Sequence, residues 1–142
     1  MSNPIVTYQG VVYPWHCDHM GHMNVMWYVG KFDEATWRLF AMLGLSPSKL
    51  RAIDRGMAAI EQHIAYKREV HAGDTVTVAS QVVSVGDKTL TFRHEMFNDE
   101  TGEMAPVAIT TGVHLDKIAR RACSLPVEVR AQADALIIAA AA

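Results

Sequence analysis

The sequence predicts an α+β fold, an antiparallel β-sheet with one long α-helix lying against it. Two observations predict it. Val25, Tyr28, Val29, Phe32, Ala35, Leu39 and Leu43 recur at steps of three and four, the period of a helix with one buried face. After Gly56, four runs rich in β-branched and aromatic residues follow one another, separated by short Gly-, Asn- and Asp-containing turns. With one strand before the helix and one helix at the end, the chain forms one domain over residues 1–142.

Composition bounds what such a domain does. Its 142 residues are 50% hydrophobic and 20% charged, enough to bury a core without disulfides and unlike a disordered chain. A formal net charge of −2 gives no electrostatic footprint for nucleic acid. Cys17 and Cys123 lie too far apart in sequence for metal-type spacing and read as free thiols in a reducing compartment. Met1-Ser2-Asn3-Pro4 runs straight into patterned sequence and no apolar run is long enough for a bilayer, so neither leader nor membrane span is expected. The expected location is cytoplasmic.

Ile5 to Tyr13, rich in valine, threonine and tyrosine, is the first strand, stopped by Pro14. The helix starts at Asn24, a good N-cap, and ends near Leu43, with Gly44 to close it and Pro47 to prevent continuation. Trp27, Trp37, Phe40 and Met42 widen its apolar surface beyond one stripe, so other structure is expected to wrap it, and Lys31, Asp33, Glu34, Thr36 and Arg38 supply its polar positions. Ser46 to Arg55 suggests a short helix. Met57 to His71 reads as a strand broken at Ala72-Gly73-Asp74, and Thr75 to Val85 as another, with a bulge near Val82-Val83. Val85-Gly86-Asp87-Lys88 is a hairpin turn, and Thr89 to Phe97 sets Leu90, Phe92, His94 and Met96 on one face. Glu103 to Asp116 alternates through Val107, Ile109, Thr111, Val113 and Leu115, with Pro106 suggesting an edge or bulge. Pro126 opens a last amphipathic helix that ends in Ala135-Leu136-Ile137-Ile138 and an alanine tail.

The chemistry concentrates in Trp15-His16-Cys17-Asp18-His19-Met20-Gly21-His22-Met23-Asn24, immediately before the helix. A carboxylate beside helix N-terminal N–H groups that lack intrahelical partners is a place for chemistry on a carbonyl. Gly21 permits the turn into the helix. Asp18 serves either as a reactive carboxylate or as a cap of the turn, and Asn24 either orients substrate or water or simply caps the helix. His19-x-x-His22 with Asp18 would offer metal ligands, but the turn breaks regular ligand geometry and no metal site is expected. Cys17 and Asp18 are adjacent on an extended segment and should point to opposite sides. Asp33 and Glu34 lie too far along the helix to join Asp18 and are expected in solvated or inter-subunit roles.

Asp18-His19-Met20-Gly21-His22-Met23-Asn24, followed by Tyr28 and by Phe32-Asp33-Glu34-Ala35, resembles the hotdog-fold acyl-CoA thioesterases of the 4-hydroxybenzoyl-CoA thioesterase class. Their pattern is an Asp, then Gly-His-x-Asn, then a Tyr, then an aromatic and acidic pair on the central helix. The resemblance implies a sheet wrapped around that helix and hydrolysis of an acyl-CoA to carboxylate and CoA. It implies Asp18 as general base or nucleophile, the Val25 backbone N–H as oxyanion donor, and Asn24 beside them. His16, Gly21, His22 and Tyr28 are then expected around the substrate, with His16 standing where many relatives have a second Asp. Lys88-Thr89 and Arg120-Arg121 match the positions that meet CoA phosphates across a subunit interface. A homodimer or homotetramer follows, with no cofactor beyond the CoA of the substrate. A non-catalytic acyl-CoA-binding domain and a hotdog hydratase or dehydratase are the rival readings.

Overall fold

A computed structural model describes residues 4–141, with side chains as far as Ile137. The strands are β1 (Ile5–Val11), β2 (Arg55–Tyr66), β3 (Thr75–Val85), β4 (Thr89–Asn98), β5 (Met104–Asp116) and a short β6 (Arg121–Ala122). The helices are α1 (Val25–Met42), α2 (Pro47–Ala52) and α3 (Val127–Ala141), and a single 3-10 turn spans Pro14–His16. The sheet runs β1-β3-β4-β5-β2, antiparallel throughout, with β6 paired to β5. It curls around α1, the hotdog arrangement.

Two apolar clusters hold α1 in place. Its N-terminal half buries Tyr28, Phe32 and Ala35 against Val76, Val78, Met96 and Ala108, and its C-terminal half buries Leu39, Phe40 and Leu43 against Val82, Leu90 and Phe92. Val129 and Ala133 of α3 close the second cluster. Gly44, at φ +88, takes the left-handed conformation that ends α1. Lys31 departs from the polar face expected of it: only 3% exposed, it donates to the Tyr8 hydroxyl at 2.7 Å and lies 5.0 Å from the centroid of that ring. Gly10 makes this possible, because a Cβ there would stand 2.3 Å from the Tyr8 hydroxyl oxygen.

The sheet corrects several expectations. β2 crosses the sheet to pair with β5 and forms an edge. It ends at Tyr66, not His71, so residues 67–74 are a connecting segment, pinned where Val70 accepts from Met23 N–H at 2.9 Å. β5 is interior, so Pro106 does not mark an edge. Pro106 lies where the register with β4 shifts, between the Glu95 and Phe97 pairings. Its helix-facing side carries the buried Ala108, Thr110 and His114, while Ile109 is 38% exposed. The register of β3 and β4 also shifts between Val82 and Ser84, at the expected bulge. The two-residue β6 was not anticipated; its existence depends on Leu115 and Asp116 for partners. The predicted apolar end of the last helix beyond Ile137 lies outside the described side chains. Among the described residues no helix is long and apolar enough to cross a membrane.

Candidate active site

The segment before α1 folds back on itself so that Asp18 and the helix N-terminus share one hydrogen-bond network. Gly21 turns the chain at φ +85 and donates its N–H to the Asp18 carbonyl at 3.0 Å. Cys17 bridges to Met23, and the Asn24 N–H reaches the His16 carbonyl at 2.8 Å, so the loop closes directly onto the helix start.

Asn24 then divides its amide between two tasks. Its oxygen accepts from the Met26 N–H at 2.8 Å, capping α1, and its nitrogen donates to Asp18 Oδ2 at 2.6 Å. Asp18 Oδ1 accepts from the Met20 N–H at 2.8 Å. Both oxygens of the carboxyl are thus held by donors, and the Asn24 bond above all, then the Met20 bond, lowers its pKa from the ordinary carboxylate value. Asp18 is an ionised, oriented and partly exposed carboxylate at neutral pH. Asn24 is the N-cap of the helix and holds Asp18 with the same amide. Among the described residues the Val25 N–H has no acceptor in the chain, whereas the Met26 and Trp27 N–H groups are both taken by Asn24. It is an available donor at the positive end of a helix of 18 residues.

Two hollows flank this helix start. The larger, about 740 Å³, is lined by His22, Val25 and Tyr28 on one side and by Tyr66, Lys67, Arg68, Glu69 and His71 on the other. Asp18 stands beside it across the turn, donating its N–H to the His22 carbonyl at 3.2 Å. His22 and His71 both reach Glu69, at 3.3 and 3.4 Å. The smaller, about 370 Å³, begins at Met26 and runs along α1 past Gly30, Asp33, Trp37 and Phe40. Glu69 and His71 were missed from sequence, because the alternation of β2 continues by composition past the residue where the strand stops.

Other expected site residues take different places. His16 is expected around the substrate, yet its ring is buried against Trp27, with centroids 4.3 Å apart, and Nδ1 accepts from the Tyr13 N–H at 3.0 Å. Burial, chiefly, lowers its pKa. It braces the turn from below and does not line either hollow. Tyr28 lines the larger hollow but is buried, its hydroxyl accepting from the Val70 N–H at 2.9 Å. Among the described residues no three His, Cys, Asp or Glu side chains converge in a metal-holding group.

Lys88, Thr89, Arg120 and Arg121 lie at the opposite end of the sheet. Gly10, Val76 and Asn98 align near the Asp18 end, whereas Val85 pairs with Leu90 at the far one. The length of β3 separates them, ~30 Å at ~3.3 Å per residue. Within one chain these residues do not reach Asp18.

A curled antiparallel sheet wrapped around one long helix is the hotdog fold. The chain belongs to the thioesterase-like superfamily, whose family model matches residues 12–133. It is 28% identical over 136 residues to a betainyl-CoA thioesterase from Pseudomonas aeruginosa, covering 96% of this chain and 86% of that protein. It is 30% identical over 109 residues to an L-carnitine dehydrogenase/betainyl-CoA thioesterase from Agrobacterium fabrum, covering 77% of this chain and 22% of that longer protein. A Staphylococcus aureus protein solved in complex with CoA superposes with a TM-score of 0.89 at 20% identity, covering 97% of this chain and 87% of the other. A 1,4-dihydroxy-2-naphthoyl-CoA thioesterase from Synechocystis does so at 0.80 and 18% identity, covering 93% and 98%.

Proposed function

We propose that this chain hydrolyses an acyl-CoA to carboxylate and free CoA, with Asp18 as the reactive carboxylate and the Val25 N–H as oxyanion donor. The observation that carries the reading is the forked Asn24 amide, which ties an ionised Asp18 to the same helix terminus that leaves Val25 N–H open. The thioester carbonyl would sit between them. Asp18 would then take a proton from attacking water, or attack the carbonyl carbon itself to give a mixed anhydride with release of CoA thiolate, hydrolysed in a second step. The Val25 N–H would stabilise the oxygen that becomes negative in either route, a role in which one donor is typically worth roughly 2.7–4 kcal/mol.

The working unit is a dimer in this reading. β2 is a 12-residue edge paired on one side only, and Ile60 near its middle is 60% exposed. Such an edge is a template for a second copy. Antiparallel β2–β2 pairing under two-fold symmetry sets the far end of one sheet beside the Asp18 end of the other. That would deliver Lys88, Thr89, Arg120 and Arg121 from the partner subunit toward the CoA phosphates, which one chain alone cannot do. Light scattering of wild type and Ile60→Asp checks this, with a dimer or larger multiple expected for wild type and monomer for the variant.

Free-thiol release from short, branched, aromatic, long and cationic acyl-CoAs tests the function. The betainyl-CoA thioesterases among the relatives place betainyl-CoA in that panel. Turnover of at least one member is expected, and folded protein that releases CoA from none of them contradicts the proposal. Single turnover in oxygen-18 water separates the two routes, since label entering the Asp18 carboxylate marks the anhydride.

A further inference from the structure

The larger hollow carries a row of ionisable side chains that the fold does not require. His22, on the turn that ends at Asn24, sets Nε2 3.3 Å from one oxygen of Glu69 and Nδ1 3.1 Å from the Met23 carbonyl. Both ring nitrogens face acceptors, and only the imidazolium has a proton for each. The other oxygen of Glu69 lies 3.4 Å from Nε2 of His71, whose backbone N–H donates to Asp74 at 2.8 Å. Glu69 is thereby held from two sides, one carboxylate oxygen to each ring. None of this is needed to fasten residues 67–74, because the buried Val70 already does so. Its carbonyl accepts from the Met23 N–H and its N–H donates to the Tyr28 hydroxyl, both at 2.9 Å.

We propose that Glu69 is a positioning residue of the hydrolysis: it holds the His22 imidazolium on the side of the thioester where negative charge arrives as the carbon–sulfur bond breaks. The inference rests on the thioesterase reading above and adds residues to its machinery. In either route one negative charge travels, from the Asp18 carboxylate to the carbonyl oxygen and then to the departing sulfur. A cation accelerates that transfer only if it attracts the charge more strongly late than early. His22 meets the condition. It lines the hollow together with Val25, whose N–H receives the oxygen in this reading, whereas Asp18 stands outside that lining. The Asn24 bond and then the Met20 bond dominate the lowering of the Asp18 pKa, and His22 comes last among its causes.

The surroundings leave this pairing to Glu69. From its own turn, His22 is joined to Asp18 through the backbone, and His19 lies three residues before it. Arg68 and Glu103 are 2.6 Å apart and offset each other. Asp74 is engaged with His71, 3.9 Å from its Nδ1. Lys67 lines the hollow as a further cation, and Tyr28 and Tyr66 stay neutral because burial raises both pKa values. Glu69 and His71 are exposed and His22 is half-buried, so the effect on rate is a few-fold.

Steady-state thiol release with the fastest acyl-CoA of the panel tests this in wild type, Glu69→Gln, His22→Gln and the double variant. The rates are compared at about pH 5.5 and about pH 8.5, below and above the ordinary imidazole pKa of ~6.5. At the lower pH, Glu69→Gln should lose about fivefold in kcat, with KM and the thermal midpoint unchanged. At the higher pH it should match wild type, because a neutral ring has no charge to place. In the His22→Gln background the same substitution should change kcat by less than about twofold. Equal kcat of wild type and Glu69→Gln at the lower pH, a loss of the same size at both, or an undiminished loss in the His22→Gln background overturns the proposal and leaves the thioesterase reading standing. No thiol release from any acyl-CoA overturns that reading, and this one with it.

Discussion

Two polar clusters meet α1, one at its first turn and one near its middle, and they are built to opposite ends. At the first turn, Asp18, Met20 and Asn24 engage one another while the carboxylate stays partly exposed and the Val25 N–H stays open. Near the middle, the buried Thr7, Ser80 and His94 form a chain with the half-buried Thr36, with His94 Nδ1 2.5 Å from Ser80 Oγ and Nε2 2.8 Å from Thr36 Oγ1. Thr36 donates onward to the Phe32 carbonyl, so His94 Nε2–H donates to Thr36 and the Ser80 hydroxyl donates to Nδ1. Every proton in that chain is spoken for when the imidazole is neutral. A histidine in such a place is structural, and burial pushes its pKa down to about 4. The cluster that retains an unsatisfied donor and a solvent-reachable charge is the one equipped for chemistry.

The contrast is sharpest in single substitutions. Asp18→Asn should lower kcat by about 10³-fold, within the range expected when a positioned general base is lost, and leave the thermal midpoint nearly unchanged. Thiol release and thermal melting on the same sample check both halves, and a large loss of stability would place Asp18 in the structural class with His94.

His94 should show the reverse pattern through pH. The unfolded imidazole binds its proton near ~6.5 and the folded one near 4, so stability is complete above ~6.5 and is lost as pH falls from there toward 4. The loss over that window is about 3 kcal/mol. Urea denaturation across the window should show it, and His94→Gln, which keeps a donor and an acceptor, should flatten it. A slope that survives in His94→Gln would assign the pH dependence elsewhere.

The smallest effect separates the two duties of Asn24. Asn24→Ala should cost ~1 kcal/mol of stability as a lost N-cap, whereas Asn24→Ser should keep most of the cap. Both should reduce turnover, because neither side chain donates to Asp18 as the amide does. If Asn24→Ser restored turnover together with stability, the Asn24–Asp18 bond would carry no catalytic weight.

Much of this was legible in the sequence because the signals are local. The three-and-four spacing from Val25 to Leu43, with Asn24 before it and Gly44 after it, sets α1 almost to the residue. The motif from Asp18 to Asn24 marks the site because cap, turn and carboxylate are contiguous. Signals that depend on distant partners were not legible. Lys31 reads as solvent-facing until Tyr8, 23 positions away, receives it. The alternation of β5 identifies a strand but leaves open which face meets the helix, and small residues such as Ala108 and Gly112 take that face because α1 and its Phe40 pass close by. β2 runs out at Tyr66 through pairing, with no proline or glycine to announce it before Gly73. Asp33 looked remote from Asp18 along the helix, and only the sheet wall opposite turns its helix face into a cleft.

The central claim is that an Asp18 ionised by the Asn24 amide is the reacting group, and the pH dependence of kcat/KM tests it most directly. A carboxylate with a lowered pKa stays active as pH falls until that pKa is crossed, so the acid limb of wild type should lie below the ordinary carboxylate range. In Asn24→Ser, with the largest cause of the depression removed, the limb should move up toward that range. A limb near ~6.5 would point instead to a histidine. That result, or a limb unmoved by Asn24→Ser, would contradict the account.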